Sequence, residues 1–341
     1  MNERRGEPPL LIFSTCPQST DSGASTYQTT VANVARWSER AGCTGILIYS
    51  DNSLVDPWLL SHLIIQSTER LCPLVAVQPV YMHPYAAAKM ITTFGYLHHR
   101  RVYLNMIAGG FKNDLNALND PTAHDRRYDR LAEYTQVIKM LLAAGHSVTY
   151  DGEFYQVRQL KLTPALSGEL FPGFLMSGSS SAGAAAARAT EAISVEYPVP
   201  SSQYRAGTLH DGLQRGIRVG IIARATTTHA WDVAHHRFPI DRKGQLMHQL
   251  AMKVSDSEWH QLLSDAAKDM IEGESPYWLE PFRNYKTFCP YLVGNYEVVA
   301  GEIAQYMRAG CRAVILDIPP DEEELDHIGV VFRQAFRLAA Q

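Results

Sequence analysis

The chain alternates short apolar, β-prone runs with helical stretches along nearly its whole length. Strict alternation of this kind predicts a parallel sheet, because each parallel connection must cross over before the next strand begins. Eight strand segments can be identified, and eight such units match a (β/α)8 TIM barrel, an α/β fold. The predicted strands are Pro9–Phe13, Gly45–Tyr49, Leu71–Gln78, Arg101–Ile107, Phe174–Ser177, Ile193–Glu196, Gly216–Ala223 and Ala313–Leu316.

A doubly wound open sheet is the alternative α/β fold. Against it, residues 13–19, which follow the first strand, contain no glycine and hence no dinucleotide-binding fingerprint. We therefore predict one barrel domain over residues 1–341, with insertion segments at its C-terminal face at about 109–125 and 254–290. Long segments on a barrel are commonly lids or binding loops, so we expect these two to cover a site.

Composition excludes several functional classes. Lys and Arg total 31 against 35 Asp and Glu, and no basic cluster occurs, so no nucleic-acid partner is expected. Apolar runs are too short for a membrane span and the N-terminus lacks a signal segment, so we expect a cytoplasmic protein. The five cysteines are scattered and the 13 histidines lack ligand spacing, so neither disulfides nor a metal are predicted.

A hydroxyl-rich turn lies between the predicted strand Phe174–Ser177 and an alanine-rich helix. Ser177 to Ser181 offer hydroxyl groups, and Gly178 lets the backbone come close to a ligand. The unpaired N–H groups at the start of the helix point to the same place. The segment fits a cradle for a phosphate group, and it fits an ordinary serine-rich loop with Ser as the helix N-cap equally well.

Several short motifs, taken in order, resemble the bacterial luciferase-like flavin monooxygenases, and most of all their alkanesulfonate monooxygenase branch. Each motif is weak alone, but their order and spacing together are fairly specific, and they cover nearly the whole chain. The motifs are Asp56–Trp58, Ala76–Pro79, Asn105–Gly110, His124–Tyr128, Gly152–Phe154, Ser177–Ser180, Gly216–Arg218 and Leu292–Gly294.

This resemblance implies a barrel that binds FMN, supplied as reduced FMN by a separate flavin reductase, and that activates O2. In such a barrel the site lies at the carboxyl ends of the strands. The strand prediction independently places the motif residues at these ends, because the residues at or just after them are Ser14 and Thr15, Tyr49 to Asp51, Gln78, Ala108 and Gly109, and Ser177. The cofactor-binding set implied by the resemblance is Phe13, Asp51, Ala76, Gln78, Asn105, Ala108, Tyr128, Ser177, Gly178, Ser179 and Ser180.

The resemblance further implies catalytic roles for Arg218, His124 and Asn105. An arginine inside an apolar strand is unfavourable unless paired and cannot lose its proton, so Arg218 would bind an anion or steady a peroxy group. Its alternative is a structural ion pair with a nearby carboxylate. His124 and Tyr128 would close the phosphate side, although a helix cap and simple packing are their alternatives.

The sulfonate pattern is broken at four positions, the first of which is a histidine that the resemblance leads us to expect just after the first strand and that is missing here. Leu54 stands where that branch has a cysteine, Gly220 where it has a histidine, and a tyrosine is missing near Ile318. We therefore expect a larger or less anionic substrate than an alkanesulfonate.

Our hypothesis is an FMN-dependent monooxygenase, in a two-component system, that oxidises an organic small molecule such as a specialised metabolite. A homo-oligomer is expected, with a dimer favoured because relatives commonly dimerise through helices. The alternatives are an F420-dependent oxidoreductase of the same superfamily and a non-catalytic flavin-binding protein.

Overall fold

The structure is a computed structural model that describes residues 10–21, 23–109, 112–178, 180–204, 212–252, 263 and 275–340. Eight parallel strands form a closed barrel in the order β1-β2-β3-β4-β7-β8-β9-β12, and pairing of β8 with β9 closes the ring. All eight predicted strands are confirmed. Their observed bounds are β1 Leu11–Thr15, β2 Gly45–Ile48, β3 Cys72–Val77, β4 Tyr103–Ile107, β7 Gly173–Ser177, β8 Ile193–Glu196, β9 Arg215–Arg224 and β12 Cys311–Leu316.

Four further strands lie outside the ring. Strands β5 (Val148–Asp151) and β6 (Gln156–Leu160) form an antiparallel hairpin. Strand β11 (Tyr291–Asn295) runs parallel to the second half of β9, and β10 (Tyr277–Trp278) pairs antiparallel with β11. The sequence pattern had assigned no strand to Tyr291–Asn295. Because β9 is ten residues long, its first half can pair with β12 and its second half with β11.

Helices cover the outside of the barrel and connect its strands. The alanine-rich helix after β7 begins at Ser181 with Ser180 as its N-cap, as the hydroxyl-rich turn suggested. The helices are α1 Ala24–Arg40, α2 Pro57–Ser67, α3 Pro84–His98, α4 Lys112–Ala117, α5 His124–Ala143, α6 Ser181–Ala189, α7 Thr227–Arg237, α8 Arg242–Met252, α9 Glu280–Arg283, α10 Tyr296–Ala309 and α11 Glu322–Ala339.

Strand side chains alternate between the barrel interior and the surrounding helices. Alternate residues of seven of the eight barrel strands, including Phe13, Leu47, Leu74, Tyr103 and Leu175, belong to one apolar cluster inside the ring. The intervening residues pack against the helices in separate clusters. The barrel interior is therefore a filled apolar layer, and a site can form only beyond it, at the strand ends.

The two predicted insertions are described to different extents. Within 109–125, the structure shows α4 and a loop in which Asp120 pairs with Arg130 of α5 at 2.6 Å. Of 254–290, only residue 263 and residues 275–290 lie in the described part, so the predicted cover over the site falls largely outside it. Among the described residues, no helix is long and apolar enough to cross a membrane.

Candidate active site

Inward-facing positions change from apolar to polar at the carboxyl ends of the barrel strands. Most of these polar side chains are half-buried although helices surround the barrel, so they line an internal space that solvent reaches. They come from seven different strands or the residues just after them. The set is Tyr49, Gln78, Asn105, Ser177, Tyr197, Arg218 and Asp317.

Asn105 and Ser177 form a direct contact between the ends of β4 and β7. The Ser177 hydroxyl donates to Asn105 Oδ1 at 2.9 Å, and Asn105 is itself 4% exposed. Ala76 lies opposite Asn105 in the β3–β4 register, so the neighbouring side chain on β3 is a single methyl group. Because Ser177 uses the carbonyl oxygen of Asn105, the amide NH2 is left to face the interior.

Gln78 and Ala108 follow the same two strands and lie beside this pair. The Gln78 amide nitrogen donates to the Ser50 carbonyl at 3.0 Å, which fixes the side chain across the end of β2. Gly109, next to the buried Ala108, has a φ of +100°, and a Cβ there would lie 3.5 Å from Gln78 Oε1. The turn after β4 therefore keeps the backbone close to Gln78.

His124, Tyr128, Gly178 and Ser180 meet where α5 passes the start of α6. A Cβ on Gly178 would lie 2.2 Å from the Tyr128 hydroxyl, so glycine is required for the phenol to reach the turn. The Ser180 hydroxyl accepts from the Gly183 N–H at 3.2 Å as the N-cap of α6. His124 packs edge-on against Tyr128, with ring centroids 5.3 Å apart.

His124 does not cap α5, which settles one alternative from the sequence. The helix begins at His124 itself, Ala123 occupies the N-cap position, and the imidazole Nδ1 lies 2.8 Å from the exposed Asp125 carboxylate. The predicted phosphate side is thus assembled from α5 and the β7–α6 turn. Ser179 lies outside the described residues.

Phe13 and Asp51 lie apart from this assembly. Phe13 is fully buried inside the barrel and packs edge-on against Tyr103, with ring centroids 5.2 Å apart, so it forms part of the floor beneath the polar side chains. Asp51 lies in the turn after β2, where its carboxylate accepts from the Ser53 N–H at 2.8 Å. Burial and the nearby Asp51 raise the pKa of Asp114, which shows that α4 approaches this turn.

Arg218 points into the barrel from the middle of β9. Its guanidinium lies over the ring of Tyr49, 5.1 Å from the centroid, and donates to the Tyr49 hydroxyl. Tyr197, just beyond β8, is hydrogen-bonded to the same guanidinium. In the described part of the chain, no carboxylate forms an ion pair with Arg218. The hydroxyl groups of two tyrosines hold the guanidinium instead, so the alternative of a structural ion pair is not supported.

Tyr291 explains why glycine stands at position 220. A Cβ on Gly220 would lie 2.3 Å from the Tyr291 ring, which therefore occupies the volume of the missing side chain. The Tyr291 hydroxyl donates to Asp317 Oδ2 at 2.8 Å, and the Thr287 hydroxyl donates to the same oxygen at 2.7 Å. Gly220 therefore leaves no free space at this point, because an aromatic ring from β11 fills it.

Sequence reasoning missed Tyr197, Asp317, Thr287 and Tyr291. Asp317 did carry a signal, because it is an acidic residue directly after the apolar strand β12. Thr287 and Tyr291 carried none, since they belong to a Tyr- and Pro-rich segment whose strand was not recognised. Leu54 and Ile318, two of the other altered positions, are half-buried beside the strand ends.

Comparison with known proteins agrees with this geometry. The family model for luciferase-like monooxygenases matches residues 9–313. The chain belongs to this family. A 4-(gamma-L-glutamylamino)butanoyl-[BtrI acyl-carrier protein] monooxygenase, BtrO from Niallia circulans, is 34% identical over 316 residues, which cover 91% of this chain and 92% of that protein.

Solved structures of this luciferase-like group share the fold. The EDTA monooxygenase EmoA from Chelativorans sp. BNC1 superposes with a TM-score of 0.71 at 16% identity, covering 96% of this chain and 94% of its own. An F420-dependent secondary alcohol dehydrogenase in complex with an F420-acetone adduct gives a TM-score of 0.64 at 16% identity, covering 96% and 99%. The resemblance found in the sequence is confirmed, and the chain is an oxidoreductase of the monooxygenase type.

Proposed function

We propose that this protein is an FMN-dependent monooxygenase that uses reduced FMN and O2 to oxidise an organic small molecule. The observation that carries the proposal is the meeting of the Asn105–Ser177 pair with the Tyr128–Gly178–Ser180 cluster at neighbouring strand ends. The pair offers an amide group that would contact the flavin ring, and the cluster offers a helix N-terminus that would bind the phosphate group.

The phosphate end of FMN fits the described residues. Helix α6 is nine residues long, its first N–H groups lie beside Ser180, and Gly178 leaves no side chain between Tyr128 and the turn. A helix N-terminus with a serine cap favours a dianion through its oriented N–H groups and its dipole. Ser180, Gly178 and the Tyr128 hydroxyl would hold the phosphate, together with Ser177 and Ser179 as the sequence predicted.

The remaining polar side chains suit the flavin ring and the reaction. Asn105, Gln78 and Ala108 would line the isoalloxazine ring, with Ala76 beneath it, and His124 would cover the Tyr128 side. Reduced FMN supplies the electrons that activate O2, so that one oxygen atom enters the substrate and the other leaves as water. Arg218 would bind an anionic group and stabilise negative charge that develops near it, because a guanidinium stays protonated.

The substrate class can be narrowed with the named relative. BtrO acts on a 4-(gamma-L-glutamylamino)butanoyl group carried by an acyl-carrier protein, and more than nine-tenths of both chains align. We propose that the substrate here is likewise an acyl compound with polar or charged groups. Arg218 and Asp317 at the mouth support a polar end, and the absence of the sulfonate pattern at Leu54, Gly220 and Ile318 disfavours an alkanesulfonate.

The proposal includes partners and an assembly. A separate flavin reductase would deliver reduced FMN, as the resemblance to the family implies. Residues 1–341 would act as one domain, because β1 from one end of the chain pairs with β12 from the other. A homodimer would cover Leu59 on α2 with Tyr96 and Leu97 on α3, which are 74%, 75% and 63% exposed.

An F420-dependent oxidoreductase is the second candidate, because an F420-dependent alcohol dehydrogenase shares this barrel along almost its entire length. Such an enzyme would transfer hydride and would not consume O2. The two candidates therefore differ in both the cofactor bound and the fate of oxygen.

The test combines cofactor binding with isotope labelling. The purified protein is titrated with FMN, riboflavin and F420, and is then supplied with reduced FMN, 18O2 and candidate acyl substrates. We expect FMN to bind more tightly than riboflavin, and one 18O atom to appear in a product by mass spectrometry. Preferential F420 binding with no oxygen uptake would establish the second candidate, and peroxide release without any product would indicate a flavin-binding protein.

A further inference from the structure

Arg218 and Asp317 are opposite charges, both half-buried, and neither has an ion-pair partner among the residues that the structure describes. Arg218 is held by Tyr49 and Tyr197, which are neutral. Asp317 accepts hydrogen bonds from the hydroxyls of Thr287 and Tyr291 and from the Ile318 N–H. The two charges attract each other only across a gap, without a direct ion pair, so a polar group placed between them would contact both and stabilise the pair.

The two charges lie on the same face of neighbouring strands. Ile315 of β12 is opposite Arg218 of β9, and Ile315 and Arg218 both point into the barrel. Asp317 is two residues beyond Ile315, so it also faces inward, one step nearer the mouth. Strand spacing and rise place the two Cα atoms about 8 Å apart, close enough for one small polar group to reach both side chains.

Both charges are held in place by dedicated contacts. The Tyr49 ring lies under the guanidinium, which limits its movement, and the Tyr291 ring occupies the side-chain volume at Gly220. This position of Tyr291 is what brings its hydroxyl within 2.8 Å of Asp317. Preorganised charges of this kind favour a ligand with complementary charges at a fixed separation.

We propose that Arg218 and Asp317 form a binding site for the zwitterionic head group of an α-amino acid, with the ligand carboxylate on Arg218 and its ammonium on Asp317. A simple anion would meet repulsion from Asp317, and a simple cation would meet repulsion from Arg218. An apolar end group would leave hydrogen-bonding groups of both side chains unsatisfied, including the buried Nε of Arg218. As a statement about the substrate, the inference rests on the proposed function, whereas the binding site itself does not.

The test compares three ligands that share an alkyl chain. The FMN-loaded protein is titrated calorimetrically with L-norleucine, with hexanoate, which lacks the ammonium, and with pentylamine, which lacks the carboxylate. Each charge-assisted hydrogen bond changes affinity by about tenfold or more, so norleucine should bind at least about tenfold more tightly than either analogue. Equal affinity for norleucine and either analogue would overturn the proposal.

Two variants assign the charges. Asp317→Asn keeps acceptors for Thr287 and Tyr291 but removes the negative charge, so norleucine should bind no better than hexanoate. Arg218→Met should remove the advantage of norleucine over pentylamine. The exposed residues Arg312 and Asp326 provide the controls Arg312→Met and Asp326→Asn, which should leave the ligand order of the unmodified protein unchanged.

A further variant covers the case in which the charge variants do not fold. Tyr291→Phe keeps the ring over Gly220 and removes only the hydrogen bond to Asp317, so it should reduce the norleucine preference several-fold with little change in circular dichroism. An undiminished norleucine preference in folded Asp317→Asn or Tyr291→Phe would refute the site. FMN affinity and oxygen uptake are measured separately, so failure of the proposed function is recognised even where amino-acid selection persists.

Discussion

The ends of β3, β4 and β7 carry neutral polar side chains held by residues of adjacent barrel strands, whereas β9 and the end of β12 carry charges whose contacts include residues from outside the barrel ring. On the first side, Asn105 and Ser177 contact each other directly across adjacent strands. On the second side, Asp317 is held by Tyr291 and Thr287, which come from outside the barrel ring. We call these the β4–β7 side and the β9–β12 side.

The difference separates two kinds of function. The β4–β7 side supplies amide, hydroxyl and backbone N–H groups, which suit a cofactor shared by a whole family. The β9–β12 side supplies two opposite charges and a ring that fills the space beside Gly220, which suit a charged substrate group. A barrel can therefore keep its cofactor side and change its substrate by altering one or two strand ends and the segment packed on them.

The first prediction concerns the space beside Gly220, which the Tyr291 ring occupies. Gly220→Val places a branched side chain where the Tyr291 ring lies, and the ring is almost fully buried. Overpacking of this severity should reduce the free energy of unfolding by about 3 kcal/mol, measured by urea denaturation.

The control is Gly301→Ala on α10, where a Cβ meets nothing within 4 Å. Alanine is favoured over glycine within a helix, so this variant should be neutral or slightly stabilising. If Gly220→Val were as stable as the unmodified protein, the β9–β12 side would contain free space and the filled-pocket description would be wrong.

A second prediction tests how the β4–β7 side is anchored. Burial raises the pKa of the Asp120 carboxyl group. Hydrogen bonds from Arg130 and Thr122 lower this pKa by more than burial raises it, so the net pKa lies below its ordinary value of 3.8. Its stabilising contribution is therefore fully present above about pH 4 and is lost as the pH falls through the depressed pKa. Asp120→Asn should reduce the free energy of unfolding by about 2 kcal/mol at pH 7.

The difference between this variant and the unmodified protein should shrink below about pH 4 in a series of urea titrations. Asp129→Asn is the matched control, because Asp129 pairs with Arg126 on the surface, with 58% of its side chain exposed. That variant should change stability by less than about 0.5 kcal/mol. A pH-independent loss in Asp120→Asn would mean that the carboxylate charge contributes nothing.

A third prediction divides the serines of the β4–β7 side. Ser180→Ala removes the N-cap of α6 and a phosphate donor, so FMN affinity should fall about tenfold while riboflavin affinity changes little. Ser177→Ala removes the contact to Asn105 and should weaken both ligands, with an added loss for FMN if Ser177 also reaches the phosphate. Fluorescence titration measures all four affinities, and equal losses for FMN and riboflavin in Ser180→Ala would remove the phosphate assignment.

The strands could be predicted from sequence because each is a short apolar run bounded by turn residues. Bounds at Gly45, Ile107 and Ser177 were matched by the structure, and the polar residues at these ends followed from the barrel geometry. Ser177 and Asn105 were both identified, since polar residues that end buried strands stand out against their surroundings. Their contact with each other depends on the β4–β7 register, which the pattern alone does not contain.

The β9–β12 side was predicted only in part, for a physical reason. Arg218 is conspicuous as a charge within an apolar strand, but the pattern does not show that Tyr49 and Tyr197, which lie just beyond β2 and β8, reach its guanidinium. Nothing in the sequence around Gly220 indicates that the Tyr291 ring occupies the space beside it. Side chains contributed from a distant segment are set by tertiary packing, so they become visible only in the folded molecule.

A fourth prediction concerns the hydrogen bond by which the Tyr49 hydroxyl positions the Arg218 guanidinium. Tyr49→Phe keeps the ring beneath the guanidinium and removes one hydrogen bond to a charged group, so turnover should fall about fivefold, equivalent to about 1 kcal/mol. Tyr96→Phe, at a residue 75% exposed on α3, should leave turnover unchanged. The variant should alter kcat more than KM if the guanidinium acts during oxygen transfer, and KM more than kcat if it binds the substrate carboxylate. Loss of thermal stability with unchanged kcat and KM would show that Tyr49 holds only the barrel wall, and the β9–β12 side would then lose one of the two contacts that fix its cation.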